Sequence, residues 1–282
     1  MSNDDRSRTG LAGGPEIISD ELISGAGNLL AFLVDADNAS ASVVKELLEE
    51  AAKYGTVIIR RVYGDWTSPN LAPWKKVLQD HALTPIQQFA NASGKNATDS
   101  ALIIDAMDIL HGKVVGGFCI VSSDSDYTRL ATRIREAGLF VIGMGRANTV
   151  AAFKNACNVF VSVENLSSSH VVHAEKETLS VAHPEPKGVK KKEPPQPTLP
   201  AQRPIVDAIP TLRKAFETVV REDGRAHLAE VGTALLKLDP AFDSRTFGYT
   251  RLVSLVESLS EVFIVERVTE RGPSTIYIRL KE

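Results

Sequence analysis

From Leu29 to Val163 the chain alternates short apolar runs with stretches whose apolar residues recur at helical spacing, and this alternation constrains the fold more than any other feature. The first run, LLAFLV at 29–34, is continuous, as a strand buried on both faces requires. Residues 39–53 then place Val43, Val44, Leu47, Leu48 and Ala51 on one helical stripe. TVIIRRVY (56–63) predicts a second strand, followed by a helix near 70–81 and a short strand near 82–89. A helix over 98–111, a strand GGFCIVSS (116–123) and a helix over 126–137 ended by Gly138 come next. LFVIGMG (139–145), a short helix at 148–156 and NVFVSV (158–163) close the series. Strands separated by helices pair in parallel through right-handed crossovers, so 28–166 is expected to form an α/β domain with a mainly parallel sheet.

The rest of the chain is different in kind. Residues 1–27 are polar and have no helical or strand pattern, which predicts a disordered tail rather than a signal peptide. Residues 167–203 are rich in Ser, Lys, Glu and Pro, and half of the chain's 14 prolines fall between 184 and 204, as in an extended linker. Its KKK at 190–192 reads as a solvated charge run. Beyond it, 204–282 offers helices over 204–222, from His227 and over 248–259, then two β runs, VFIVERV and TIYIRL, around the turn TERGPS. Three helices and a terminal hairpin predict a small winged helix-turn-helix domain. No apolar run is long enough to span a bilayer. The two cysteines, Cys119 and Cys157, sit in apolar contexts, which suits buried thiols and a cytoplasmic protein.

Charge narrows the function. The formal net charge is −3, so nucleic-acid contact has to come from local clusters rather than a basic coat. The informative charges are acidic. In an open parallel sheet, ligands gather outside the carboxyl ends of the strands. Asp35 and Asp37 follow the first strand in VDADN, and Asp124 and Asp126 follow the fourth in VSSDSD. Asp99 opens the central helix after GKNAT and reaches the same rim. Carboxylates converging on one edge repel each other, and Mg²⁺ or Mn²⁺ is the usual remedy for hard oxygen ligands. Such an ion can activate water for phosphodiester displacement. A lone aspartate after a strand is more often a helix N-cap, which fits Asp37, Asn38 and Ser125. On the helix of Asp99, Asp105 lies about 120° around and Asp108 on the opposite face.

These residues carry a resemblance. LVDADNAS, KNATDSALIIDAMDIL and FCIVSSDSDYTRLATRIREAGLFVIGMG, in that order, resemble the NYN domains, a branch of the PIN-like nucleases, and most nearly their LabA/DUF88 group. The resemblance implies a PIN-like (Rossmannoid) fold over 28–166 and metal-dependent RNA cleavage. By motif, Asp35, Asp99, Asp124 and Asp126 match the family's acids, and Asn38 matches a polar residue near its site. Asp105 matches a position commonly acidic there. The C-terminal HLAEVGTALLKLDPAFDSRTFGYTRLVSLVESLSEVFIVE resembles the LOTUS, or OST-HTH, domain, which implies RNA binding or contacts with protein partners.

Around the acids, Lys95 in SGKNATD is placed to hold a scissile phosphate, with Arg146 in GMGRAN on the same rim. Arg60 and Arg61 precede Tyr63 and Trp66, a pattern that suits a phosphate and a stacked base, but only one arginine can face a given side. In the second domain Lys237, Arg245, Tyr249 and Arg251 group around the second and third helices, with Lys237 and Arg251 the candidate RNA contacts. No Walker motif, GxGxxG, zinc spacing or nucleophile elbow occurs. The expectation is a divalent-metal-dependent ribonuclease. Its rivals are a non-catalytic RNA-binding adaptor and a phosphatase acting on small phosphate esters.

Overall fold

The computed structural model describes residues 29–89, 97–166, 202–268 and 275–281. The N-terminal tail, Lys95, the turn TERGPS, and the linker except its last two residues therefore lie outside the described residues.

The first domain runs β1 (Leu29–Asp35), α1 (Val44–Ala51), β2 (Thr56–Gly64), α2 (Trp74–Asp80), β3 (Thr84–Gln87), α3 (Ala97–Gly112), β4 (Gly117–Val121), α4 (Thr128–Glu136), β5 (Phe140–Gly145), α5 (Ala151–Ala156) and β6 (Val159–Ser162). Its six strands form one parallel sheet in the order β3-β2-β1-β4-β5-β6. β1 and β4 lie side by side, with Val34 opposite Val121. Strand order reverses between these two, the position where open α/β sheets bind ligands.

The continuous apolar run of β1 follows from burial on both faces. Ala31 and Leu33 join Leu102 of α3, Leu130 of α4 and Phe153 of α5 in one core. Leu30, Phe32 and Val34 join Leu47 of α1 and Trp74 of α2 in the other. The helices at 39–53 and 126–137 open later than their periodicity implies, because each starts with a 3₁₀ turn. Ser40 caps Ala41–Val43, and Asp124 caps Ser125–Tyr127. Gly138, at φ +84°, ends α4 in the left-handed conformation that glycine adopts without strain.

The second domain contains α6 (Ile209–Val219), β7 (Ala226–His227), α7 (Leu228–Leu238), α8 (Leu252–Ser258), β8 (Phe263–Val268) and β9 (Thr275–Leu280). The expected hairpin β8–β9 is antiparallel, and β7 adds a third strand on the far side of β9. Two residues are too few to show alternation, so the sequence gives no sign of β7. The third helix begins at Leu252 rather than 248 because a 3₁₀ turn, Ser244–Phe247, ends at Gly248 with φ +86°.

The two domains meet along β6, the edge strand of the first sheet. Phe160 donates its N–H to the carbonyl of Pro240 at 2.7 Å. Leu236 packs against the core on one sheet face and Ala241 against the core on the other. Glu50, at 4% exposure, receives both terminal nitrogens of Arg245 at 2.9 and 3.0 Å. Arg245 also holds Asp243, whose Oδ2 accepts from Asn165 at 3.1 Å. A buried ion pair is tolerated only when its charges are this fully bonded. Arg245, grouped with the RNA-facing residues by sequence, is thus a seam residue.

Candidate active site

Asp35 ends β1 on the same side as Leu33 and Ala31, towards α3. It is fully buried, and its oxygens already accept three hydrogen bonds. The Asp37 N–H donates to Oδ1 at 3.1 Å, while Asn38 Nδ2 at 2.7 Å and Ser122 Oγ at 3.0 Å donate to Oδ2. Burial raises the Asp35 pKa above the ordinary carboxylate value despite these donors, and the nearby charge of Asp99 adds to the rise.

Ser122 ties the two central strands together. Its hydroxyl donates to Asp35 and accepts the Asp124 N–H at 3.0 Å. Asp124 then uses Oδ1 to cap the Asp126 N–H at 2.9 Å. Asp124, read from the sequence as a ligand, is thus also the N-cap of this turn, through one of its two oxygens. On α3, Asp99 accepts from the Tyr127 hydroxyl at 2.7 Å. Burial and the charges of Asp35 and Asp99 push the Tyr127 pKa far up, so this phenol stays a donor.

Asp99, Asp124 and Asp126 each present a carboxylate oxygen, and these atoms lie within 4.8 Å of one another. Asp35 is not one of the three. Burial raises the Asp99 pKa, with Asp124, Asp126 and Asp37 adding repulsion in that order. Three hard oxygen donors under mutual repulsion fit a divalent cation of the Mg²⁺ or Mn²⁺ class.

The raised pKa values have a consequence with a definite sign. A carboxylate whose folded pKa exceeds its unfolded one stabilises the fold while protonated, and that contribution is lost as pH rises through the folded value. Asp35 and Asp99 therefore weaken the metal-free protein towards neutral pH. A cation among the carboxylates should offset this, so the Mn²⁺-induced rise in Tm should be larger at about pH 7.5 than at about pH 5. A rise that is equal or larger in acid would contradict the assignment.

The remaining sequence candidates are spread around this rim. Asn38 lies against Asp35, and Asp37 is exposed nearby. Arg146 is exposed after β5, with its N–H on Ser123 Oγ at 2.9 Å. Arg61 is ion-paired to Asp105, which also accepts from the Tyr63 hydroxyl, so Asp105 braces β2 against α3. Arg60 bonds the His81 carbonyl, and Trp66 Nε1 bonds the Ile86 carbonyl. Asp108 is exposed. Lys237 is exposed in the last turn of α7, and Arg251 is exposed at the start of α8. Sequence reasoning missed Ser122 and Tyr127. VSSDSDY contains both, but serine and tyrosine beside acids carry no spacing that singles them out. A cleft of about 860 Å³ follows the domain seam by Phe140, Asn158 and Lys237, at the opposite end of the strands from the carboxylates.

Comparison with known proteins agrees with the division of the chain into these two domains. The NYN domain family matches residues 30–166, and the OST-HTH/LOTUS domain family matches residues 205–275. A search of curated proteins finds no match. Among solved structures, a Vibrio parahaemolyticus protein of unknown function is 18% identical, covering 48% of this chain and 92% of its own, with a TM-score of 0.40. An uncharacterized protein from Nitrosomonas europaea is 30% identical over 34% of this chain and 93% of its own, with a TM-score of 0.25. At those scores the likenesses add nothing to the fold described above. Among the described residues no helix is long and apolar enough to cross a membrane. The chain carries an NYN domain of the PIN-like nuclease superfamily followed by an OST-HTH/LOTUS domain.

Proposed function

We propose that the protein is a divalent-metal-dependent ribonuclease. The observation that carries the reading is the meeting of Asp99, Asp124 and Asp126 within 4.8 Å where strand order reverses. These three would hold Mg²⁺ or Mn²⁺. When bound, the ion supplies charge neutralisation and an activated water for in-line attack on a phosphodiester. The chain's own groups provide the positioning. Asp35 orders the rim through Asn38 and Ser122, and Ser122 sets Asp124. Tyr127 holds Asp99. Arg146 and Lys95 would bear on the phosphate, with Arg61 a lesser contributor because Asp105 already engages it. The second domain would add RNA affinity through Lys237 and Arg251 and could meet protein partners. The buried free thiols Cys119 and Cys157 accord with a reducing, cytoplasmic setting.

The adaptor reading draws on one observation, the engagement of Arg61 and Arg245 by protein carboxylates, which leaves fewer cations for substrate. End-labelled single-stranded and hairpin RNA incubated with the full chain should be cut with Mn²⁺ and left intact with EDTA. Cutting that persists in EDTA sinks the proposal. Tight RNA binding with no cutting at any Mn²⁺ concentration favours the adaptor.

A further inference from the structure

The cleft of about 860 Å³ along the seam is built by both domains. Its floor is the edge strand β6. The first domain supplies one wall, with Arg135 near the end of α4 and Phe140 at the start of β5. The second domain supplies the other through α7. There Ala229, Thr233 and Lys237 recur at four-residue spacing, so they share one face of the helix, and all three are exposed.

The charges lining this cleft do not cancel. Its only acid is Asp243, which Arg245 already holds, and Arg245 is in turn spent on Asp243 and Glu50. Two cations remain. Lys237 makes no hydrogen bond or ion pair among the described residues. Arg135 is exposed and bonds the backbone carbonyls of Asn155 and Ala156 at 2.9 and 3.1 Å, with no carboxylate paired to it among the described residues. The same cleft leaves an aromatic ring open. Phe140 is 38% exposed, and it stacks on Tyr54 with ring centroids 6.3 Å apart. Tyr54 also lines the cleft. Burial, aided by the charge of Glu50, pushes its pKa up to about 12, so the phenol stays a neutral donor.

Free cations beside an exposed ring suit a single nucleic-acid strand, because the cations take phosphates and the ring takes a base. An apolar protein segment suits the cleft less well, since it would strip water from Arg135 and Lys237 and offer them no partner. We propose that the seam cleft binds single-stranded RNA, with Arg135 and Lys237 on its phosphates and Phe140 against a base. α4 joins the cleft to the carboxylate rim, its 9 residues spanning about 13 Å. Arg129 and Arg133 lie on its outer side, exposed and without a partner among the described residues. They fall three and seven residues after Asp126, on one side of the helix, and so line the way from the cleft to the rim. The cleft thus anchors a part of the strand away from the cut. The strand's course towards the carboxylates rests on the ribonuclease reading; the hold of the cleft on a single strand does not.

The test titrates full-length protein in EDTA with labelled, unstructured RNAs of about 12 and about four nucleotides. The longer RNA should bind more tightly. Thr233→Glu sets an anion on the exposed α7 face of the cleft and should weaken that binding more than about tenfold. Phe140→Ala should weaken it about fivefold or more. Lys237→Gln should reduce the log–log salt slope of binding by about 0.7, which a merely structural role would not do. Lys75→Gln, exposed on α2 and outside the cleft, should leave binding unchanged. Thermal melts show that each variant is folded. Undiminished binding by folded Thr233→Glu overturns the proposal, as does a salt slope that Lys75→Gln lowers as much as Lys237→Gln. Displacement of the RNA as readily by a polyglutamate peptide as by unlabelled RNA also overturns it, and makes the cleft a docking site for acidic protein. Binding that depends on the cleft while Mn²⁺-dependent cutting is absent sinks only the ribonuclease reading. Cutting that is indifferent to every cleft variant sinks only the cleft.

Discussion

An Asp124→Asn variant should lose RNA cleavage by about a thousandfold or more while keeping its fold. Removing one hard anionic ligand forfeits several kcal/mol of charge stabilisation at the phosphorus, and each ~1.4 kcal/mol is tenfold in rate. The fold should survive because the asparagine oxygen can still accept the Asp126 N–H, the hydrogen bond that caps the 3₁₀ turn before α4. With one charge removed from the cluster of Asp99, Asp124 and Asp126, the metal-free variant should melt no lower than the parent, and its Mn²⁺-induced rise in Tm should shrink. Single-turnover cleavage and thermal melts with and without Mn²⁺ read both effects. Parental cleavage by Asp124→Asn would remove the mechanism. Ser122→Ala should fall between the two, at about 10–100-fold, because it leaves every ligand in place and loosens only the orientation of Asp124 and Asp35.

The second large effect concerns stability. Arg245→Ala leaves Glu50 in the seam without its guanidinium, and breaking a buried pair from one side costs about 3–5 kcal/mol. Lys53, 2.6 Å from Glu50, retains part of the compensation, so about 3 kcal/mol is expected. Because the pair joins the domains, a single melting transition should split into two. Replacing both partners, Glu50→Gln with Arg245→Met, should recover much of the loss, since no charge is then left buried. Burial pushes the Glu50 carboxyl up, but bonds from Arg245 and Lys53 outweigh it, so its pKa is lowered. A lowered carboxylate pKa stabilises above the unfolded value and ceases to as pH falls through the folded one. The seam should therefore weaken in acid, the opposite trend to the metal-free carboxylate rim. Unchanged melting of Arg245→Ala would mean that the seam contributes little.

How much of this the sequence shows depends on the range of the interaction. The parallel sheet is legible because burial of β1 on two faces leaves a continuous apolar run, and the acids are legible because they follow strands. The adjacency of β1 and β4 was open to topology, and the register of Val34 with Val121 settles it. The division of labour among the acids was not legible. Asp35 ends β1 and Asp124 follows β4, yet among the described residues Asp35 is buried under three donors while Asp124 uses one oxygen for its cap. That difference arises from Ser122, which acts across two strands and leaves no periodic trace. The seam was illegible for the same reason. Glu50 and Arg245 are far apart in sequence, each on an element whose pattern reports only its own domain. Arg245 therefore looked like a surface cation.

The bond from Phe160 to Pro240 also bears on how the chain behaves when cut. Without residues 202–281, β6 would present an open row of amides and carbonyls beside Val159 and Val161, the kind of border on which a second molecule can add a strand. Expressed alone, the first domain should self-associate into intermolecular sheets. The appended domain thus guards against aggregation, whatever it contributes to RNA, and a lineage that shed it would need another way to close that border.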